Sequence, residues 1–258
     1  MGRDEHERAV RFRTARRDPE LTVLEGFHAL KHALRFGAEL VEAVALDPAG
    51  LERMAADLAP DLAGSIAGRV EQVDKGTLAD LVPLVPHTGV VAIARRPSVD
   101  LAAALADPAP APVVLLEQPR NMGNIGACIR VSAGAGAAAV VTTGPNDPWH
   151  PDAVRGAAGL QFALPVTAVE SLPPSERPLL AIDPEGEELT PDLVPPRAIL
   201  AFGTERHGLS AEALDRARAR VAIPMREGVS SLNLATSVAV VLFVMRLRNR
   251  GDRSRNGG

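Results

Sequence analysis

A single cysteine, Cys128, is all the thiol this 258-residue chain carries. No internal disulfide and no cysteine-based zinc site can form from it. The six histidines are scattered without metal-ligand spacing, so no metal site is expected. There is no tyrosine, and aromatics make up 3% of the chain. Stacking platforms for bases are therefore not its main recognition device, and the core must be built from Ala, Val and Leu. Lysine is nearly absent: of 28 basic residues only Lys31 and Lys75 are lysines. The arginines reflect either a coding bias toward Arg and Ala or a use for planar forks that grip phosphate. The longest apolar run near the end, Val238–Met245, is far too short to span a bilayer. The N-terminus has no apolar signal segment. A soluble, cytoplasmic protein with no membrane partner is the expectation.

What is present is a chain long enough for one large or two ordinary domains, with 46% hydrophobic residues to fill a core. The net charge of −4 does not by itself suggest a polyanion partner, but its distribution is uneven. Residues 1–17 hold six arginines against three acids, and residues 246–258 hold five against one. Basic ends on an acidic body are either solvated tails or arms that touch a polyanion.

The hydrophobic pattern divides the chain into a basic arm (1–19), a small α/β unit (20–97), a proline-rich linker (98–112), a second α/β unit (113–250) and a polar, disordered tail (251–258). In the first unit, apolar runs at 21–24, 41–46, 70–73 and 89–94 read as strands, and 26–36, 51–58 and 77–82 as helical. Pro97, Pro108, Pro110 and Pro112 remove donors and fix φ, leaving at most a short helix in the linker. In the second unit, strands at 113–117, 138–142, 179–182, 198–202 and 221–223 alternate with helices at 125–135, 151–157, 211–217 and 232–247. That alternation implies a mainly parallel sheet covered on both faces. The last helix is apolar nearly all round, so it is either the core of this unit or shared with another subunit.

Three polar, Gly-bearing turns at strand ends carry the chemistry. The first is Asn124-Ile125-Gly126-Ala127-Cys128-Ile129-Arg130, opening a helix; an Asn and an Arg at a helix N-terminus suit a ribose-phosphate group, or simply cap the helix. The second is Gly203-Thr204-Glu205-Arg206-His207-Gly208, where Glu205 either orients a hydroxyl or caps the next helix, and His207 reads as a surface residue. The third is Ile223-Pro224-Met225 followed by Ser231-Leu232-Asn233, where Ser230 or Ser231 is the expected helix cap. Arg155 in Arg155-Gly156-Ala157-Ala158-Gly159 is a second phosphate clamp or a solvated side chain. Gly134-Ala135-Gly136 closes a helix instead of opening one, so it is not a dinucleotide fingerprint.

Taken together, Asn124-x-Gly126-x-x-x-Arg130, Gly203-x-Glu205-x-x-Gly208, and Ile223-Pro224-Met225 with Ser231-Leu232-Asn233 resemble the three motifs of the SpoU (TrmH) branch of the SPOUT RNA methyltransferases. Arg155 with Gly159 resembles the family's intermediate R-x-x-x-G turn. Glu25-Gly26-Phe27-His28-Ala29-Leu30 and His87-Thr88-Gly89-Val90-Val91-Ala92 resemble the ribosomal-protein (L30e-like) substrate-binding domain often fused to it. The resemblance implies a C-terminal α/β SPOUT fold with a deep trefoil knot behind a small L30e-like α/β domain, acting as a homodimer. It implies S-adenosylmethionine as cofactor, held by Gly203, Ile223, Met225 and Leu232. It implies methyl transfer to a ribose 2′-hydroxyl of structured RNA, ribosomal ahead of transfer RNA. Arg130 is then the key catalytic group, with Asn124, Glu205, Ser231 and Asn233 orienting it and the ribose, and Arg130 and Arg155 contact the RNA. A nucleotide-dependent oxidoreductase and a non-catalytic RNA-binding factor are the competing readings. The first lacks the strand–fingerprint–helix order. The second is disfavoured by the intact polar motif residues.

Overall fold

The computed structural model describes residues 3–204 and 207–255, with side chains for 4–204 and 207–248. The chain forms two compact units. One takes the chain up to Ser98 together with Trp149–Ala163; the other takes Val99–Pro148 and the chain from Leu164 onward.

The first unit runs α1 (Arg3–Ala15), β1 (Leu21–Glu25), α2 (Phe27–Arg35), β2 (Leu40–Ala45), α3 (Pro48–Leu58), β3 (Glu71–Gln72), α4 (Lys75–Leu81) and β4 (Val90–Arg95). Its sheet has the order β1-β4-β2-β3, with β4 antiparallel to both neighbours. Successive strand side chains point to opposite faces, and the two cores follow from that. Leu24, Val90, Ala92 and Ala94 pack with Phe27, Leu30 and Leu51 on one face. Val23, Val91 and Ile93 pack with Phe12, Leu78 and Leu81 on the other. The segment read as a basic arm is therefore largely a docked helix: Ala9, Phe12 and Ala15 of α1 are buried. Arg8 and Arg11 are spent internally, both donating to Glu42, and Arg8 also to Glu71.

Local geometry accounts for two of the motifs noted in this unit. Gly26 joins β1 to α2 at φ +93°, a conformation that favours glycine. The first amide of α2, on Phe27, donates to the hydroxyl of Thr88 at 3.0 Å. Residues 149–163, expected in the second domain, pack here instead. Val154 of the helix Pro151–Ala157 (α7) enters the core, and Thr22 Oγ1 donates to the carbonyl of Trp149. Gly159, at φ +76°, lies so close to Ala29 that a Cβ would meet its carbonyl oxygen at 2.5 Å.

The second unit contains α5 (Leu101–Ala106), β5 (Val113–Leu116), α6 (Met122–Ala135), β6 (Ala139–Thr142), β7 (Val166–Ala168), β8 (Leu179–Glu188), β9 (Ile199–Phe202), α8 (Ala211–Arg216), β10 (Ala219–Ala222) and α9 (Leu234–Arg255). Its six strands are all parallel, in the order β10-β8-β9-β5-β6-β7. Strands β5, β6 and β9 are buried throughout, as expected for a parallel sheet covered on both faces. Helices α6 and α9 pack together on one side, and Gly136, at φ +77°, ends α6.

Four expectations change here. The 98–112 linker is pinned into the second unit: buried Arg177 donates to the carbonyls of Ala104, Leu105, Asp107, Ala111 and Arg197. Helix α6 starts at Met122 because Asn121, not Asn124, caps it. Helix α9 starts at Leu234 because Asn233, not Ser230 or Ser231, accepts its first amides. It then continues through residues 251–255 of the expected disordered tail, since extending a formed helix is cheap; residues 256–258 lie outside the described residues. Arg246 accordingly does not end its own helix but donates to the carbonyl of Ala135 at the end of α6, at 2.7 Å.

Candidate active site

Ligands of parallel α/β sheets bind beyond the carboxyl ends of the strands, and the second unit has a cleft there. About 260 Å³ of space opens at the end of β9 and the middle of β8, bounded by Ile182, Asp183, Pro184, Phe202, Gly203, Ile223 and Leu232, with Thr204, Gly208, Met225, Ser231, Leu234 and Ser237 completing the wall. The walls are mostly apolar, with backbone edges and one carboxylate, Asp183, turned into them. Strand β8 divides at this point. Its first half pairs with β9 on one side and with Ala219 and Arg220 of β10 on the other, its second half pairs with β10 alone through Glu187 and Glu188, and Asp183 lies in the stretch between, on the cleft. The Asp183 carboxylate also accepts the amide of Glu185 at 2.9 Å.

The turn after β9 folds tightly back on itself. Thr204 and Gly208 exchange both backbone hydrogen bonds at 3.0 Å, and the Thr204 hydroxyl accepts the amide of His207. Gly203 is required by close approach: a Cβ there would lie 2.0 Å from the carbonyl carbon of Gly208. His207 is exposed, in keeping with a surface position. Glu205 and Arg206 lie outside the described residues, so the role expected of Glu205 is neither placed nor displaced. The cap of α8 is Ser210. Its amide and hydroxyl both donate to the Glu117 carboxylate, at 2.7 and 2.6 Å, which ties the end of β5 to the Gly203–Gly208 turn.

The first and third motifs also meet. Asn233 donates from Nδ2 to Oδ1 of Asn124 at 3.1 Å, while its own Oδ1 holds the amides of Ala235 and Thr236. Ser231 is exposed beside Leu232 on the cleft. Arg130 stays exposed on α6, and it lines neither the cleft nor any ion pair among the described residues. Arg155 belongs to the first unit and is held there. Its guanidinium bridges Glu25 at 2.9 Å and Asp152 at 2.7 Å, and the same buried Glu25 is gripped by Arg16.

Of the residues expected from the sequence, Gly203, Ile223, Met225, Ser231 and Leu232 therefore share one cleft, and Asn124 is linked to Asn233. Arg130 does not line that cleft, and Arg155 belongs to the first unit. Asp183 was missed: it follows the apolar run Leu179–Ile182 and lies within β8, where the pairing with β10 shifts. Glu117, just past the end of β5, was missed as well. Among the described residues no cluster of His, Cys, Asp or Glu suits a metal ion, and no helix is long and apolar enough to cross a membrane.

A six-stranded parallel sheet with a cleft at its strand ends defines an α/β protein of the nucleotide- or cofactor-binding kind. Comparison with known proteins narrows the class. The sequence profile of the SpoU rRNA methylase family matches residues 111–243, and the chain belongs to that family. It is 32% identical over 222 residues to an uncharacterized tRNA/rRNA methyltransferase of Mycobacterium bovis, covering 81% of this chain and 73% of that one. It is 27% identical over 251 residues to the 23S rRNA (adenosine(1067)-2′-O)-methyltransferase of Streptomyces azureus, covering 91% and 89%. The chain spans 52% of the length of a further relative from Synechocystis sp., at 33% identity over 142 residues. A crystal structure of an RNA 2′-O ribose methyltransferase superposes with a TM-score of 0.71 at 29% identity, over 96% of both chains.

Proposed function

We propose that this protein transfers a methyl group from S-adenosylmethionine to a ribose 2′-hydroxyl of structured RNA, with ribosomal RNA the substrate. The observation that carries the reading is the meeting of all three motifs at one strand-end site. The second and third motifs line the cleft, and Asn233 ties the third to Asn124 of the first. The walls fit the cofactor. Ile223, Leu232 and Phe202 offer apolar surface for a purine, the bare backbone at Gly203 admits hydrogen bonds at close range, and Asp183 offers an acceptor for sugar hydroxyls or an ammonium group.

The cofactor supplies an already activated methyl carbon, so the protein's task is alignment and management of the proton that the hydroxyl loses. Asn124 and Asn233 orient the ribose, Ser231 contributes a hydroxyl beside the cleft, and Glu205, by its place in the second motif, is assigned the same orienting role. Arg130 has no ion pair among the described residues, which suits a guanidinium that clamps the target phosphate and stabilises the developing alkoxide. With a pKa above about 12 it is a poor base, so phosphate or water takes the proton. Gly203, Ile223, Met225, Leu232 and Asp183 hold the cofactor.

The partly exposed stripe Val240, Phe243, Val244 and Leu247 on α9 fits a homodimer interface. The first unit serves as an L30e-like RNA-binding domain. The deep trefoil knot of SPOUT methyltransferases belongs to the same reading, as does action in the cytoplasm, where ribosomal RNA is found. The test is incubation with methyl-labelled S-adenosylmethionine and unmodified 23S rRNA, followed by nucleoside analysis. Label in an alkali-resistant 2′-O-methylated dinucleotide is expected. Label on a base, or binding of RNA without transfer, overturns the reading in favour of base methylation or a non-catalytic RNA-binding factor.

A further inference from the structure

The arginines at the N-terminal end of the first unit are of two kinds. Arg8 and Arg11 are bound to Glu42, Arg8 also to Glu71, and Arg16 to Glu25. Arg13 and Arg17 are exposed and have no ion-pair partner among the described residues. Arg13 is in the last turn of α1 and Arg17 in the turn that follows it. With Val10, Thr14 and Pro19 they line an open groove of about 540 Å³.

A helix C-terminus attracts one cation, but like charges a turn apart repel. The first unit has acids to spare for its other arginines and supplies none to these. The one carboxylate on the groove, Asp18, is engaged by the amide of Glu20 at 2.8 Å. Val10 is 42% exposed on the groove wall, an apolar surface beside two unspent guanidinium forks. Such forks match phosphate oxygens bidentately, and an apolar wall beside them suits the sugar of a nucleotide.

We propose that this groove is a docking site for the phosphodiester backbone of the RNA substrate, with Arg13 and Arg17 each taking one phosphate. The inference rests on the RNA-methyltransferase reading and adds to it a contact surface remote in sequence from the motifs. Neutralising two phosphates releases their counterions, so both residues must appear in the salt dependence of binding.

The experiment measures binding of the full-length protein to deproteinised 23S rRNA between 50 and 300 mM KCl, an interval on the order of that over which phosphate contacts dominate affinity. The double variant Arg13→Ala/Arg17→Ala is compared with Arg69→Ala/Lys75→Ala, which removes the same charge from exposed positions elsewhere in the first unit. The groove variant is expected to bind on the order of tenfold more weakly. Its slope of log affinity against log salt is expected to shrink by about 1.4 to 1.8. Its affinity for S-adenosylmethionine is expected to be unchanged, which shows the fold intact. In methyl transfer, its KM for rRNA is expected to rise while kcat holds. A groove variant with wild-type affinity and slope overturns the proposal, and so does an equal loss in the control pair. Wild-type protein that binds S-adenosylmethionine but not rRNA overturns the functional reading itself, and this inference with it.

Discussion

Asn233 performs two tasks with one amide: its oxygen caps α9 and its nitrogen reaches Asn124. The two are separable, because a carboxylate caps as well as an amide but cannot donate. Asn233→Asp should therefore hold the melting temperature near wild type, where loss of a cap would cost about 1 kcal/mol. It should also slow methyl transfer by at least about tenfold, the lower range for a lost positioning contact. A fast Asn233→Asp enzyme would show that the Asn124 link does not matter to the reaction. Asp183 makes a cleaner binding test. Asp183→Asn keeps the shape but gives up charge-assisted hydrogen bonding, so calorimetry should find S-adenosylmethionine bound about fivefold more weakly; unchanged affinity would remove Asp183 from the site. At this scale the sequence was legible wherever residue type and spacing are demanded together, as in Gly203, which only a residue without a Cβ can fill. It was not legible for Asp183 or Glu117. A single carboxylate after an apolar run has no pattern of its own and gains meaning only when parallel pairing aligns the strand ends.

Among the elements, the segment 149–163 shows how local reading and tertiary packing differ. Its helix was visible from its composition, but its destination was set by contacts more than a hundred residues away, such as that of Thr22 with the Trp149 carbonyl. The α1 helix was obscured by its arginines, which suggested a solvated arm until Glu42 and Glu71 accounted for two of them. The linker's prolines left room for at most a short helix, but gave no sign that Arg177 would hold four of its carbonyls together with that of Arg197. One pairing at this scale carries a pH signature. The His32 ring donates from Nδ1 to the carbonyl of Ala158 at 2.7 Å. Burial lowers its pKa despite that hydrogen bond, and Lys31, Arg35 and His28 lower it further. A folded pKa below the unfolded value of about 6.5 means the neutral ring adds stability above that pH. The contribution is lost as pH falls through the folded pKa. Urea midpoints should decline from pH 7.5 to about 5.5, and His32→Gln should flatten that decline. An equally steep decline in the variant would assign the acid sensitivity elsewhere.

For the whole molecule, the apolar stripe on α9 and the arginines Arg13 and Arg17 at the end of α1 are two surfaces that internal packing does not explain. Phe243 is 43% exposed and Leu247 66%, and a contiguous exposed apolar patch marks an interaction surface. If the stripe closes a homodimer, Phe243→Glu/Leu247→Glu should shift the mass seen by light scattering from two chains to one; an unchanged dimer would place the interface elsewhere. The parallel sheet and its strand-end cleft were foreseeable from alternating strands and helices, but the division of the chain was not, because residues 149–163 cross between units without a composition change. The most direct test of the central claim is methyl transfer by Arg130→Ala in a single turnover, alongside its affinity for S-adenosylmethionine. Arg130 lies outside the cleft wall, so the variant should bind the cofactor as wild type does. It should transfer methyl at least on the order of a hundredfold more slowly, as expected for loss of a charge that stabilises the transition state. Near-normal transfer by Arg130→Ala would contradict the assignment of the reaction to this site.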